Sequence, residues 1–400
     1  MEPTQKLLLL GLAFSVPLGA LINKTNFCTM GGISDWINFG NRGRLFALLF
    51  AAAIAILSVS IMEARDVLSV DKTIPPYLTA NFAWPRYLLG GFLFGIGMTL
   101  GGGCLNKSLI NIGRGSLKSL LVALVTAVMA YLMTKTDFYG VMFHSWISPL
   151  TLDLSQFQLN NQSLPALLAR VAGIESAVGT FTLITGLVLA ILIALWAFSA
   201  KEFRSNPNDW TAGLALGLAV AAGWYLTGGP LGKEVLEAVE WMDQRPVGVG
   251  VQSLTFVNPM GEFLAFGMAP SQLLITFGMT CAAGLVIGSM LYAVISGTFH
   301  VQGFVSLKDT VRHVTGGILM GIGGVLGMGC TIGQGVTGVS TLSLGSMMVF
   351  ASIVFGSVLT MKIEYYRMMY EGQAFFRAVL PSVLVDMHLL PQAMRKLERP

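Results

Sequence analysis

Two glycine-rich stretches decide the reading of this chain: Phe94 to Cys104, FGIGMTLGGGC, and Met320 to Cys330, MGIGGVLGMGC. Aligned without gaps, they pair Gly95 with Gly321, Ile96 with Ile322, Gly97 with Gly323, Leu100 with Leu326, Gly101 with Gly327, Gly103 with Gly329 and Cys104 with Cys330. A polar, glycine-spaced run follows each cysteine, LNKSLINIGRGSL after Cys104 and TIGQGVTGVSTLSLG after Cys330. Self-similarity of this kind means that one structural unit is used twice.

The surroundings of both stretches are membrane-like. The 400 residues are 54% hydrophobic and 11% charged, with a mean hydropathy of +0.71, whereas a soluble domain is about 25% charged. That composition excludes a soluble globular protein and a disordered chain, and 4 cysteines in 400 residues cannot make a disulfide scaffold. The net charge of +4 fits cytoplasmic loops that face anionic lipid, and no nucleic-acid partner is expected. The class is all-α integral membrane. A span needs about 20 apolar residues, and nine stretches qualify as spans: 6–22, 45–62, 87–103, 117–134, 177–200, 210–226, 271–295, 314–329 and 344–361. No small-x-small cleavage site follows the first, so it is expected to stay attached.

The two boxes end the third and eighth spans. An offset of five spans reverses the direction of crossing, so the repeat is inverted, with one unit over about 1–135 and the other over about 210–361 of a single transport domain, 1–361. Lys24, Arg42, Arg44, Lys107, Arg114 and Lys118 fall on one side with the basic tail, and the positive-inside rule puts that side in the cytoplasm, with the N-terminus outside. The tail, 362–400, is expected to be an amphipathic helix on the inner membrane surface or a docking site for a cytoplasmic partner. Two long connections, 135–166 and 227–270, are expected at the interface or folded back into the protein.

Inverted repeats place their substrate near the midplane, between broken helices. Gly101, Gly102, Gly103, Gly327, Gly329 and Gly333 supply the breaks, since each glycine costs about 1 kcal/mol relative to alanine in a helix. Any one of them alone would be read as a helix-packing contact; two matched clusters ending in cysteine point to a site. Cys281 lies in an ordinary apolar run, FGMTCAAGLVIG, and is assigned no role. Cys28, in NKTNFCTMGG, lies between these cases. There is no CxxC, and no histidine or carboxylate neighbours a cysteine in sequence, so neither a metal nor a cofactor is expected, nor a hydrolytic dyad. Thiols on a membrane path with helix N-termini just beyond them suit a small anion with a soft sulfur atom. Backbone N–H groups hold its oxygens, and neutral thiols donate weak S–H bonds to its sulfur. Lys107 and Arg114 either attract such an anion or pair with lipid phosphate; both readings stay open. An enzymatic alternative, a membrane thiol oxidoreductase or sulfurtransferase, would form a disulfide or persulfide at Cys104 and Cys330.

The boxes GGGCLNKSL and GMGCTIGQGVTGVSTLSLGS, with Phe27–Cys28 and the run Asp35 to Leu45, resemble the YeeE/YedE family of bacterial membrane sulfur-compound transporters, in particular its thiosulfate-uptake branch. The resemblance covers roughly residues 11–361. It implies an hourglass-like protein of the cell inner membrane, not an enzyme, through which thiosulfate passes by successive S–H to sulfur hydrogen bonds. By position, Cys28, Cys104 and Cys330 are then the path cysteines, and Gly101, Gly102, Gly103, Asn106, Gly327, Gly329, Gly333 and Gln334 belong to the substrate-binding loops. Other sulfur or selenium compounds are the alternative substrates, and a cytoplasmic sulfurtransferase of the TusA type is the implied partner.

Overall fold

A computed structural model of the chain describes residues 2–173, 178–240, 248–270, 275–370 and 376–397. Its helices are α1 (Pro3–Thr25), α2 (Thr29–Phe39), α3 (Gly43–Ala64), α4 (Trp84–Leu100), α5 (Leu105–Gly113), α6 (Leu117–Lys135), α7 (Ser145–Ile147), α8 (Leu164–Ala172) and α9 (Val178–Ser199). They continue with α10 (Lys201–Ser205), α11 (Pro207–Gly228), α12 (Pro230–Glu240), α13 (Val257–Met268), α14 (Phe277–Ile295), α15 (Leu307–Leu326), α16 (Leu344–Met369) and α17 (Phe376–Asp386). A two-residue antiparallel pairing, β1 (Asn81–Phe82) with β2 (Leu152–Asp153), ties two connections together. The protein is thus an all-α, multi-pass membrane protein.

Each of the nine expected spans falls on a helix, although residues 177 and 271–274 at their starts lie outside the described residues. Among the described residues eight candidate spans are long and apolar enough to cross a bilayer; two of them run on into the short helices α2 and α5. The exception is α15, whose first turns carry Lys308, Asp309, Arg312 and His313. Its second half, with Gly316, Gly317, Met320 and Gly321, is buried against α4 and α6 rather than against lipid. A helix sheathed by protein has no need of a lipid-compatible surface. The connection 227–270 folds back inward: Gln252 to Phe256 are buried, and α13 buries Val257, Pro259, Met260 and Gly261.

α4 and α15 carry the repeat. In the register of the two boxes, Arg86 to Cys104 and Arg312 to Cys330 are identical at 11 of 19 positions, and the helices cross backbone to backbone in matched pairs. A Cβ on Gly90 would lie 2.3 Å from the Gly327 nitrogen, and on its counterpart Gly316 2.5 Å from the Gly101 nitrogen. One on Gly97 would meet the Met320 nitrogen at 2.7 Å, and on Gly323 the Phe94 nitrogen at 2.4 Å. Only glycine permits such an approach, and the exchange of partners under a shift of 226 residues is the mark of a two-fold relation. After α16, α17 returns to pack Val379 and Val383 against Leu359 and Tyr366. Asp386 pins it there, accepting a hydrogen bond from Tyr366 Oη at 2.6 Å and pairing with Arg395.

Candidate functional site

One local device builds all three cysteine positions. α1, α4 and α15 each stop at a left-handed residue: Asn26 (φ 51°), Gly102 (φ 74°) and Met328 (φ 57°). The next amide reaches back five residues, from Phe27 to the Ile22 carbonyl (3.2 Å), from Gly103 to Met98 (2.8 Å) and from Gly329 to Gly324 (2.7 Å). These are Schellman ends, which satisfy carbonyls the helix leaves open. The residue after each is Cys28, Cys104 or Cys330, and at each the chain turns helical again, with the cysteine carbonyl accepting from Gly32, Ser108 or Gln334. The Cys28 sulfur accepts from the Gly31 amide and the Cys330 sulfur from the Gly333 amide, each at 3.4 Å. At Cys104, the cap of α5, no such bond closes. Each thiol therefore sits at the positive end of a helix, beside free backbone N–H groups.

The three are brought together. Cys28, Cys104 and Cys330 are 6%, 1% and 0% exposed, and all are free thiols. Cys104 is the middle member: Cys28 and Cys330 both lie near it, and the Thr331 side chain lies at its sulfur. Lys107, one turn into α5, acts on Cys28 and Cys104 and is itself 8% exposed. Its Nζ donates to Asn26 Oδ1 at 2.6 Å, and among the described residues it has no carboxylate partner. The lipid-phosphate reading of Lys107 is thereby lost: it is a buried cation on the thiol line. Arg44 adds charge from α3, its Nη1 lying 3.1 Å from where a Gly31 Cβ would stand, while its Nε pairs with Asp35 at 3.3 Å.

Around Cys330, Tyr77 Oη donates to the Gly333 carbonyl at 2.9 Å. Gln334 Nε2 donates to the Gly327 carbonyl at 2.6 Å, so this side chain braces its own loop. Gly101, Gly103, Gly327 and Gly329 belong to the helix ends that precede the cysteines. Cys281 stands apart, its thiol 3.9 Å from the Gly11 carbonyl between α14 and α1.

The site is also where the fold leaves polar atoms unmatched. Among the described residues seven buried side-chain N or O atoms have no hydrogen-bond partner, and five belong to Thr29, Asn106, Thr255, Thr331 and Gln334. Buried polar groups are ordinarily satisfied, so a cluster of exceptions marks a place for a polar ligand. A cavity of about 690 Å³ is lined by Met30, Ser34, Thr99, Arg312, Lys362 and Asp386. At the far end of α3 a smaller one of about 270 Å³ is lined by Glu63, Asp71, Ser163 and Thr341.

Residues 24–359, which include all three cysteines, match the family described as Sulphur transport. The chain belongs to that family. It is 26% identical over 354 residues to a protein of Spirochaeta thermophila named thiosulfate transporter TsuA, covering 86% of this chain and 94% of that one. It is 24% identical over 353 residues to the thiosulfate transporter TsuA of Escherichia coli, covering 82% and 87%. Asn26, Thr29, Thr255, Thr331, Tyr77 and Arg44 were not candidates on sequence grounds; the one available signal was that Cys-Thr occurs at both 28–29 and 330–331.

Proposed function

We propose that this sulphur transport family member carries thiosulfate, or a closely similar sulfur oxyanion, into the bacterial cell along Cys330, Cys104 and Cys28. The observation that carries the reading is the line of three buried free thiols, each starting a helix, with Lys107 beside two of them. A thiol donates weakly to a polarizable sulfur, the helix N-termini favour the anion's charge, and Lys107 places a basic side chain beside the line. The names of both TsuA relatives support the choice of substrate. The chain then works as a transporter, not an enzyme, in a single domain over 1–361 with repeats at about 1–135 and 210–361. Its N-terminus lies outside the inner membrane and its C-terminus in the cytoplasm, where the tail after Met361 receives a TusA-type sulfurtransferase.

The test is uptake of labelled thiosulfate by the purified protein in liposomes. Cys104→Ser and Cys330→Ser are expected to lose nearly all uptake, Cys28→Ser most of it, and Cys281→Ser none. Mass spectrometry after turnover should find unmodified thiols. Full uptake by all four variants would sink the thiol path, and an accumulating persulfide would turn the reading to sulfur transfer.

A further inference from the structure

Two of the three path thiols are followed directly by a threonine. Thr29 and Thr331 each open the helix that their cysteine caps, and they are 1% and 0% exposed. Thr29 Oγ1 has no hydrogen-bond partner among the described residues, and Thr331 Oγ1 faces only the Cys104 thiol. Most other buried threonines among the described residues are satisfied: Thr126 donates to the Gly317 carbonyl, Thr227 to Gly223, Thr337 to Leu254 and Thr360 to Gly356. A third orphan, Thr255 Oγ1, lies against Gly333, 2.7 Å from where a Cβ on that glycine would be. Thr331 reaches the Cys104 sulfur, so hydroxyls and thiols interleave along the line from Cys330 to Cys104 and recur together at Cys28.

We propose that Thr331, Thr255 and Thr29 are the oxygen-binding half of the path: their hydroxyls hold the oxygens of an S–SO3-type anion while the neighbouring thiols hold its terminal sulfur. The inference rests on the sulfur-oxyanion reading above and deepens it. A hydroxyl is a good donor to anionic oxygen and a thiol a poor one, so each end of such an anion finds its own partner at every station. Sulfate offers oxygens but no soft sulfur and leaves the thiols unmatched; a ligand without oxygens leaves the hydroxyls unmatched. A site of buried polar groups discriminates strongly against a ligand that cannot pair them.

The experiment is thiosulfate uptake, with KM and maximal rate determined separately, and thermal unfolding for wild type, Thr331→Val, Thr331→Ser and Thr29→Val in the full-length protein. Valine keeps the shape and deletes the hydroxyl. If the hydroxyl serves only the substrate, the empty protein gains stability when it is removed, because an unmatched buried group disappears. The expected result is a raised melting temperature for both valine variants with KM raised about tenfold or more, the size of one lost hydrogen bond to a charged group. Thr331→Ser should stay within about twofold of wild type, since its hydroxyl remains. Valine variants with wild-type KM, or with lower melting temperature alongside lost uptake, overturn the proposal; Thr29→Val, on a separate helix, decides the matter should Thr331→Val not fold. A wild type that takes up no thiosulfate overturns the transport reading and this inference together, and is told apart by occurring without any substitution.

Discussion

The halves around Cys104 and Cys330 share a backbone and differ in charge. Their glycines make the same crossing, and their helices end in the same bond, Gly103 to Met98 and Gly329 to Gly324. Where the first half has Lys107, however, the second has Gly333 in the same register. The first half offers a buried ammonium; the second offers only amides, hydroxyls and the Tyr77 hydroxyl bound to the Gly333 carbonyl. The two stretches thus present matched scaffolds, and only the first carries a basic side chain at this position. On the transport reading proposed above, a basic group there would deepen the well for an anion at Cys104 and Cys28.

The sharpest way to break this comparison is to remove the charge. Lys107→Gln keeps a donor for Asn26 and deletes the ammonium, and is expected to lower thiosulfate uptake at low substrate by about a hundredfold, the cost of truncating one partner of a desolvated charge pair. Gly333→Lys is not its mirror, because Thr255 occupies the space a side chain there would need. If Lys107→Gln transports normally in the liposome assay, the asymmetry is electrostatically idle and the helix N-termini alone must hold the anion.

The arginines that open the repeat differ as well. Arg86 lies over the end of α15, donating from Nε to the Leu326 carbonyl at 2.7 Å and from Nη2 to Val325 at 2.9 Å. Its guanidinium also stands 5.4 Å from the Tyr139 ring centre. Its counterpart Arg312 is ion-paired with Glu364 on the wall of the larger cavity. A cation on a helix C-terminus satisfies open carbonyls and opposes the dipole, whereas a half-exposed ion pair contributes little. Arg86→Gln should thus cost about 2 kcal/mol of stability and Arg312→Gln about 0.5 kcal/mol, as read from thermal unfolding in detergent. Equal losses would mean that Arg312 also has a structural task.

Much of this architecture was legible because hydropathy and repetition survive without coordinates. The spans follow from apolar runs, and the inversion from the odd offset between FGIGMTLGGGC and MGIGGVLGMGC. The interior polar chemistry was not legible, for physical reasons. Whether Lys107 meets lipid or substrate depends on Asn26, 81 residues away in sequence and brought to it by the end of α1. Whether a threonine hydroxyl is satisfied depends on every atom packed around it, so Thr29 and Thr337 look alike in sequence while one is orphaned and the other bonded to Leu254. The span at 314–329 was legible, but not that its helix begins at Leu307 with Lys308, Asp309 and Arg312, nor that its apolar half faces α4 and α6. The buried segment 252–256 and α13 carry no hydropathy signal long enough to notice, yet they put Thr255 against the Cys330 helix.

The smallest difference between the halves offers the finest test of their equivalence. Gly102 and Met328 occupy the same left-handed position, at φ 74° and 57°, but only glycine adopts that conformation without steric cost; for a residue bearing a Cβ it costs about 1 kcal/mol. Met328 is partly buried, and its side chain packs against the main hydrophobic core. Met328→Gly relieves strain at the end of α15 but gives up this packing and adds backbone freedom to the unfolded chain, so its net effect is expected to stay within about 0.5 kcal/mol of wild type. The reverse change, Gly102→Met, imports the strain and should destabilise by about 1 kcal/mol. A near-neutral Met328→Gly beside a clear loss in Gly102→Met, read from thermal unfolding, would show that the two helix ends are one device with two side chains. A loss of stability in Met328→Gly would show that the methionine side chain has been recruited to hold the loop before Cys330.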